Sequence, residues 1–241
     1  MCIDKGVDLE TGVLHDTDTA ASWSRTLTPV IAGLPTGASV LVDITTMPRD
    51  IIWQCFWLLE LRRCTLSYVY HRPQQYGQWL SRDPGRPRLT YKMSGIARMG
   101  ARTALVILAG YDIDRVKHLT DVFEPAVTLL GLQVDSVDPH NSSKMSAVKS
   151  AFAGDSSVEL FRVDAFSPDC GRSAIESSLQ GVRASHNVLM ASMGPKLSAV
   201  SLYAIHRSDD SLGLVYMPSN EFNRDYSSGI GESIWGEMSA R

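Results

Sequence analysis

Paired cysteines are missing from this chain. The four cysteines are Cys2, Cys55, Cys64 and Cys170, and no two stand at CxxC spacing. That excludes zinc ribbons and dithiol redox motifs, and a chain of this size with so few thiols is no disulfide scaffold. Cys55 lies in the apolar run Ile51–Leu61, where a thiol acts as a small hydrophobe. HExxH, GxSxG and GxxxxGK[ST] are also absent, so zincin, nucleophile-elbow and P-loop chemistry have no signature here. His15, His71, His118, His140, His186 and His206 are scattered without metal-ligand spacing. Neither a metal nor a cofactor is expected. Long apolar runs are lacking too. Ile51–Leu61 contains Gln54 and Glu60 and is too short to cross a bilayer. No basic-then-apolar leader opens the chain, which predicts a cytoplasmic protein without membrane attachment. A large charge excess is absent as well. The net charge of −3 attracts neither nucleic acid nor acidic membranes globally, so any basic site is local. No repeats, low-complexity tracts or heptads are legible.

What is present is a folding chain. With 241 residues, 44% apolar and 20% charged, it can bury a sizeable core. Three stretches share one design, an apolar β-run, a polar turn and a helix. They are Val40–Ile44 before Thr45–Arg49, Ala104–Leu108 before Gly110-Tyr111-Asp112, and Asn187–Ala191 before Ser192–Lys196. Alternation of strand and helix predicts an α/β fold, a Rossmann-like three-layer sandwich with a mainly parallel sheet, over residues 1–241 as one domain. Such sheets bind ligands where strands end and helices begin.

Further elements follow from the pattern. Asp50–Arg63 reads as a helix apolar nearly all round. Thr65–Tyr70 reads as a strand. Asp112 or Asp114 caps a helix that Pro125 ends. Thr128–Leu132 and Val158–Val163 read as strands, Leu197–Ile205 as a helix, and Leu214–Met217 as the last strand. The polar tail beyond reads as a turn at the chain end. Residues 1–20 carry little pattern, and a first strand is expected to be missing there. Residues 71–102 break the rhythm with prolines, glycines and seven arginines or lysines opposed only by Asp83. They read as an arginine-rich loop insertion, either a solvated loop or a lid over a phosphate-bearing ligand.

Two turns carry the candidate chemistry. In the first, Thr45, Thr46 and Arg49 stand where a helix N-terminus and a guanidinium fork suit an anion. The plain alternative makes Thr46 an N-cap and Arg49 a surface residue. In the second, Gly194 allows close backbone approach beside Ser192, and Lys196 places a cation in the first helical turn. A cation there opposes the helix dipole, which favours a functional reason for it. Asp43 and Asp112 are the candidate acid/base residues, although Asp112 also serves as a helix cap.

Asn187–Lys196 resembles the strand-turn-helix of the ligand-sensing Rossmann-like domains of CRISPR-associated proteins, the CARF family. Those domains carry a glycine, a hydroxyl and a lysine at the equivalent turn. Here Pro195 stands where their threonine usually precedes the lysine. The order of elements from Ala104 to Met217 is similar to that family, whereas residues 71–102 are not. The whole chain also resembles a group of uncharacterised bacterial proteins. The CARF resemblance implies a cyclic oligonucleotide at the sheet's C-terminal edge, usually across a dimer, in prokaryotic defence. It makes Ser192, Gly194 and Lys196 contacts, with Thr45 and Thr46 beside them. The expectation is therefore a nucleotide or oligonucleotide sensing module with an anionic small-molecule partner, as a homodimer. Larger nucleic acid is not favoured. The alternatives are an enzyme acting on a phosphate-bearing nucleotide and a structural subunit using the 71–102 loop as its interface.

Overall fold

The computed structural model describes residues 23–77, 79–134 and 138–238. The expectation about residues 1–20 lies outside them. A π-helical turn Trp23–Leu27 runs into α1 (Thr28–Gly33). Then follow β1 (Ser39–Asp43), α2 (Arg49–Leu61), β2 (Thr65–His71), β3 (Gln75–Tyr76), β4 (Ser81–Pro84), β5 (Arg88–Leu89) and β6 (Arg102–Leu108). The second half holds α3 (Ile113–Phe123), β7 (Val127–Gln133), α4 (Asn141–Ala151), β8 (Val158–Val163), α5 (Arg172–Leu179), β9 (His186–Ser192), α6 (Lys196–Ser208) and β10 (Gly213–Tyr216). The chain closes with β11 (Ser219–Phe222), β12 (Ser227–Ser228) and β13 (Ser233–Met238).

The fold is mixed α/β, built on a six-stranded sheet of order β5-β10-β9-β6-β7-β8. Every pairing in it is parallel except β5 with β10. β6 is central because its run Arg102–Leu108 is apolar on both sides, as a strand covered on two faces must be. Ala104, Val106 and Leu108 join one apolar cluster, and Leu105, Ile107 and Ala109 the other. The second cluster takes Val116 and Leu119 of α3 with Met145 and Val148 of α4. The first takes α5, α6 and α2. The chain moves outward from β6 to β7 and β8, then returns past β6 to β9. The strand order therefore reverses between β6 and β9.

The expected sheet does not contain every strand. β1 and β2 pair in parallel with each other, and β13 closes a separate three-stranded sheet antiparallel to β2. α2 packs between this sheet and α6, with Trp53 and Phe56 fully buried. The tail is thus a strand and not a terminal turn. Its signal was period-2 alternation, with Ile234, Gly236 and Met238 facing inward, diluted by glycine and polar neighbours. Gly236 is needed there because an added Cβ would collide with the Tyr68 ring.

Residues 71–102 also correct the expectation of a loop. β3, β4 and β5 pair with β12, β11 and β10, so the segment is stitched to the C-terminal tail. Arg72, Arg82, Arg88, Lys92 and Arg98 are engaged in the structure. Arg82 stacks over Trp79 at 3.6 Å, and Arg72 over Phe166 at 4.1 Å. Arg98 donates to the carbonyls of Ala184 and His186 at 2.7 and 2.6 Å. Arg88 pairs with Asp50 of α2 at 2.7 Å. Apart from Arg82 on Trp79, these pairings cross long stretches of sequence, which is why composition alone showed only Asp83.

Asp112 caps α3, accepting from the Arg115 amide at 3.2 Å. Replacing it with alanine should cost about 1 kcal/mol of stability, a cap's usual contribution, read as a lowered denaturation midpoint in urea. An unchanged midpoint would remove the cap's role. Cys55 is buried, and that burial pushes its thiol up to about 12, so it serves as a hydrophobe. Among the described residues no helix is long and apolar enough to cross a membrane.

Candidate functional site

The site is the seam where the two candidate turns meet. β6 and β9 are aligned so that Leu108 opposes Ser192. The turn after β9 folds back on that partner, with the amides of Met193 and Gly194 donating to the Leu108 carbonyl at 2.9 and 3.1 Å. The close approach requires two glycines. A Cβ on Gly110 would run into the Met193 carbonyl oxygen, and one on Gly194 would sit 3.0 Å from that of Ala109. Ligands of parallel sheets bind outside the carboxyl ends of the strands, where the order reverses. This seam is that place.

α2 and α6 deliver the cations. Each is 13 residues long and begins directly after a proline, with Arg49 and Lys196 as the first helical residues. Pro48 has φ −57° and ψ 148°, and Pro195 has φ −56° and ψ 152°. Proline suits a helix start because the missing N–H has no partner to lose. Neither helix has a cap from its N-cap residue; in α2 the Asp50 carboxylate accepts from the Ile51 amide at 3.0 Å, whereas the first turn of α6 holds no acid and its end stays positive. Thr46 is exposed and does not cap α2. The helices run parallel, side by side. The Trp53 indole donates to the Ala199 carbonyl at 2.9 Å, Phe56 meets Tyr203 edge-on at 5.5 Å, and Arg207 pairs with Glu60 at 2.7 Å. Two helix N-termini therefore stand next to each other.

Around them the charges are unbalanced. Arg49 donates from Nε to Ser192 Oγ at 3.1 Å, and from its terminal nitrogen to the Gly194 carbonyl. Lys196 Nζ donates to the Met47 carbonyl. Arg115 of α3 donates to the Met217 carbonyl, and its Nε is buried without a partner. These acceptors are neutral. Among the described residues no carboxylate forms an ion pair with Arg49, Lys196 or Arg115. Asp50, which follows Arg49 in α2, is bound by Arg88, and Asp112 lies beside Arg115. Burial and the neighbouring Arg115 charge lower Arg49 to about 10. Burial, then Arg49, lower Lys196 to about 7. Arg115 is also lowered, chiefly by burial. Arg49 and Lys196 keep partial solvent access. Asp50 acts against the shifts of Arg49 and Lys196, and Asp112 against that of Arg115, so the three cations are opposed by two carboxylates and positive charge is in excess, which suits an anion.

The remaining candidates take other roles. Ser192 is buried, and its hydroxyl is shared between Arg49 and Ser198, at 2.6 Å from the latter, so it orients the guanidinium. Thr45 Oγ1 accepts from the His71 amide at 2.9 Å and holds β1 to β2. Asp43 accepts from the Thr45 amide at 2.9 Å and lies 4.0 Å from His71 Nε2 on the outer face of the small sheet. Asp112 is raised, chiefly by burial, and takes a hydrogen bond from Ser81. Both candidate acids thus have structural work in turn and cap. Arg115 and Asp50 had no signal in the sequence, since the only local mark of Arg115 was its place three residues after a cap. A separate open groove of about 690 Å³ is lined by Pro84, Pro87, Leu89, Val122 and Phe123, and none of the three cations lines it. No protein-family model, curated protein or solved structure matches this chain.

Proposed function

We propose that this chain binds a nucleotide or oligonucleotide through its phosphates, as a sensing module with a Rossmann-like sheet. The observation that carries the reading is the set Arg49, Lys196 and Arg115, three cations at the sheet's C-terminal edge that bond neutral carbonyls and outnumber the two carboxylates acting on them, Asp50 and Asp112. Holding like charges together below the surface is unfavourable unless something negative joins them. The uncapped end of α6 adds donors of the same polarity. The residues Ser192–Lys196 resemble the corresponding turn of CARF domains. That resemblance favours binding over turnover, and the structural roles of Asp43 and Asp112 favour it as well.

Thermal unfolding against mono-, di- and cyclic nucleotides, with the mass of each ligand measured afterwards, tests the reading. A ligand at about 100 times its dissociation constant should add about 2.7 kcal/mol of stability and be recovered intact. Lys196→Ala should remove the shift. Recovery of an altered ligand would make the protein an enzyme. No shift with any nucleotide, or a shift that survives both Lys196→Ala and Arg49→Ala, would overturn the site.

A further inference from the structure

We infer that one chain carries two equivalent anion half-sites about an internal pseudo-two-fold axis, and that one ligand bearing two anionic groups binds per chain, one group on Arg49 and one on Lys196. The inference rests on the anion-binding reading above and adds the ligand's shape and stoichiometry.

The equivalence lies in the numbering of the elements. Arg49–Leu61 and Lys196–Ser208 are displaced by the same interval as Arg207 and Glu60, 147 residues. The same displacement takes Pro48 to Pro195, sets the start of β1 on the start of β9, and brings β2 over β10. α1 falls on α5 in the same way. The chain thus contains the unit α-β-α-β twice, with parallel strands in each copy. The shared residues are few: a hydroxyl at Thr45 and Ser192, the prolines, and the cations behind them. No sequence repeat was expected, because hardly anything else is retained.

Contacts between the copies are reciprocal. Arg49 reaches the carbonyl of Gly194, and Lys196 reaches that of Met47. Met47 and Gly194 are themselves equivalent positions. Along the helix pair, Phe56 meets its equivalent Tyr203, and Glu60 meets its equivalent Arg207. A two-fold interface has this signature, residue i on j and j on i. The axis runs between α2 and α6, and the cations flank it at the end where both N-termini open. Each cation holds the neutral carbonyl of the opposite turn. An anionic oxygen adds an attraction between full charges that a neutral carbonyl does not offer the cation, so an anionic group displaces the carbonyl on its side. Arg115, with its buried unpaired Nε, adds positive charge that Asp112 opposes from the other side. A single chain therefore supplies both sides of the site, and no second copy is needed to complete it.

Titration calorimetry with inorganic pyrophosphate, alongside the oligomeric state by size-exclusion chromatography, is the test. The expected stoichiometry is one pyrophosphate per chain. Arg49→Gln and Lys196→Gln should each weaken binding by about tenfold or more and to similar extents. The exchanged pair R49K/K196R keeps one cation on each side and should retain binding, with thermal unfolding confirming that it folds. One ligand per two chains would overturn the inference. So would parent-like affinity in either glutamine variant while the other loses binding. Those two results leave the anion-binding reading standing, whereas failure of pyrophosphate and of every nucleotide ends both.

Discussion

Raising the pH above about 7 should weaken sulfate binding by about tenfold per unit, because binding then requires Lys196 to take up a proton. Sulfate keeps its charge across this range, so the protein supplies the pH dependence. Lys196 faces Arg49 and Asp50 of α2 and Arg115 of α3, and Arg49, lowered to about 10, stays charged through most of the interval. Stability of the free protein should move the other way. The folded-state value of Lys196 lies below its ordinary 10.5, so the unfolded chain holds more protons between about 7 and 10.5. Stability therefore rises with pH through that window, and the penalty for the charged lysine is fully present below it. Opposite slopes for affinity and stability are a signature that a surface lysine would not produce. Lys196→Met should flatten both. Binding that is level with pH in the parent protein would show that Lys196 is not the coupled group.

Gly110→Ala should destabilise the protein by about 3 kcal/mol or more, at the upper end of overpacking costs. The added methyl meets the Met193 carbonyl oxygen, a backbone atom that cannot rotate aside. Relief requires moving the turn after β9, whose Gly194 carbonyl receives Arg49. Anion affinity should therefore fall along with stability. Urea denaturation and calorimetry on the variant check the two effects. Gly154→Ala is the contrast for contact, since nothing lies near the Cβ it would add; its φ of +88° leaves it only a backbone cost, and its anion affinity should match the parent. If Gly110→Ala keeps both stability and affinity, the close packing of the two turns is not needed.

Much of the fold was legible along the chain because it depends on local rules. The stretch Val158–Val163 is a strand with those bounds, and Asp112 caps the helix that follows β6. The turns at Thr45–Arg49 and Ser192–Lys196 were singled out by composition, and they do meet. Strand membership was a different matter. β1 and β2 read like strands of the main sheet but pair separately, since pairing depends on partners distant in sequence. The arginines of 71–102 looked unopposed because Asp50, Phe166 and the 183–186 carbonyls reach them only through the fold.

The sequence by itself determined the alternation of strand and helix, and it placed a cation directly behind a proline at two helix starts. Those are consequences of hydrophobic period, fixed proline φ and helix polarity, all short-range. Only the tertiary structure decided that the two starts lie side by side, that Arg115 joins them, and that Asp50 and Asp112 are the acids set against them. Burial and distance set the energy of a charge, and neither is a property of neighbours in sequence.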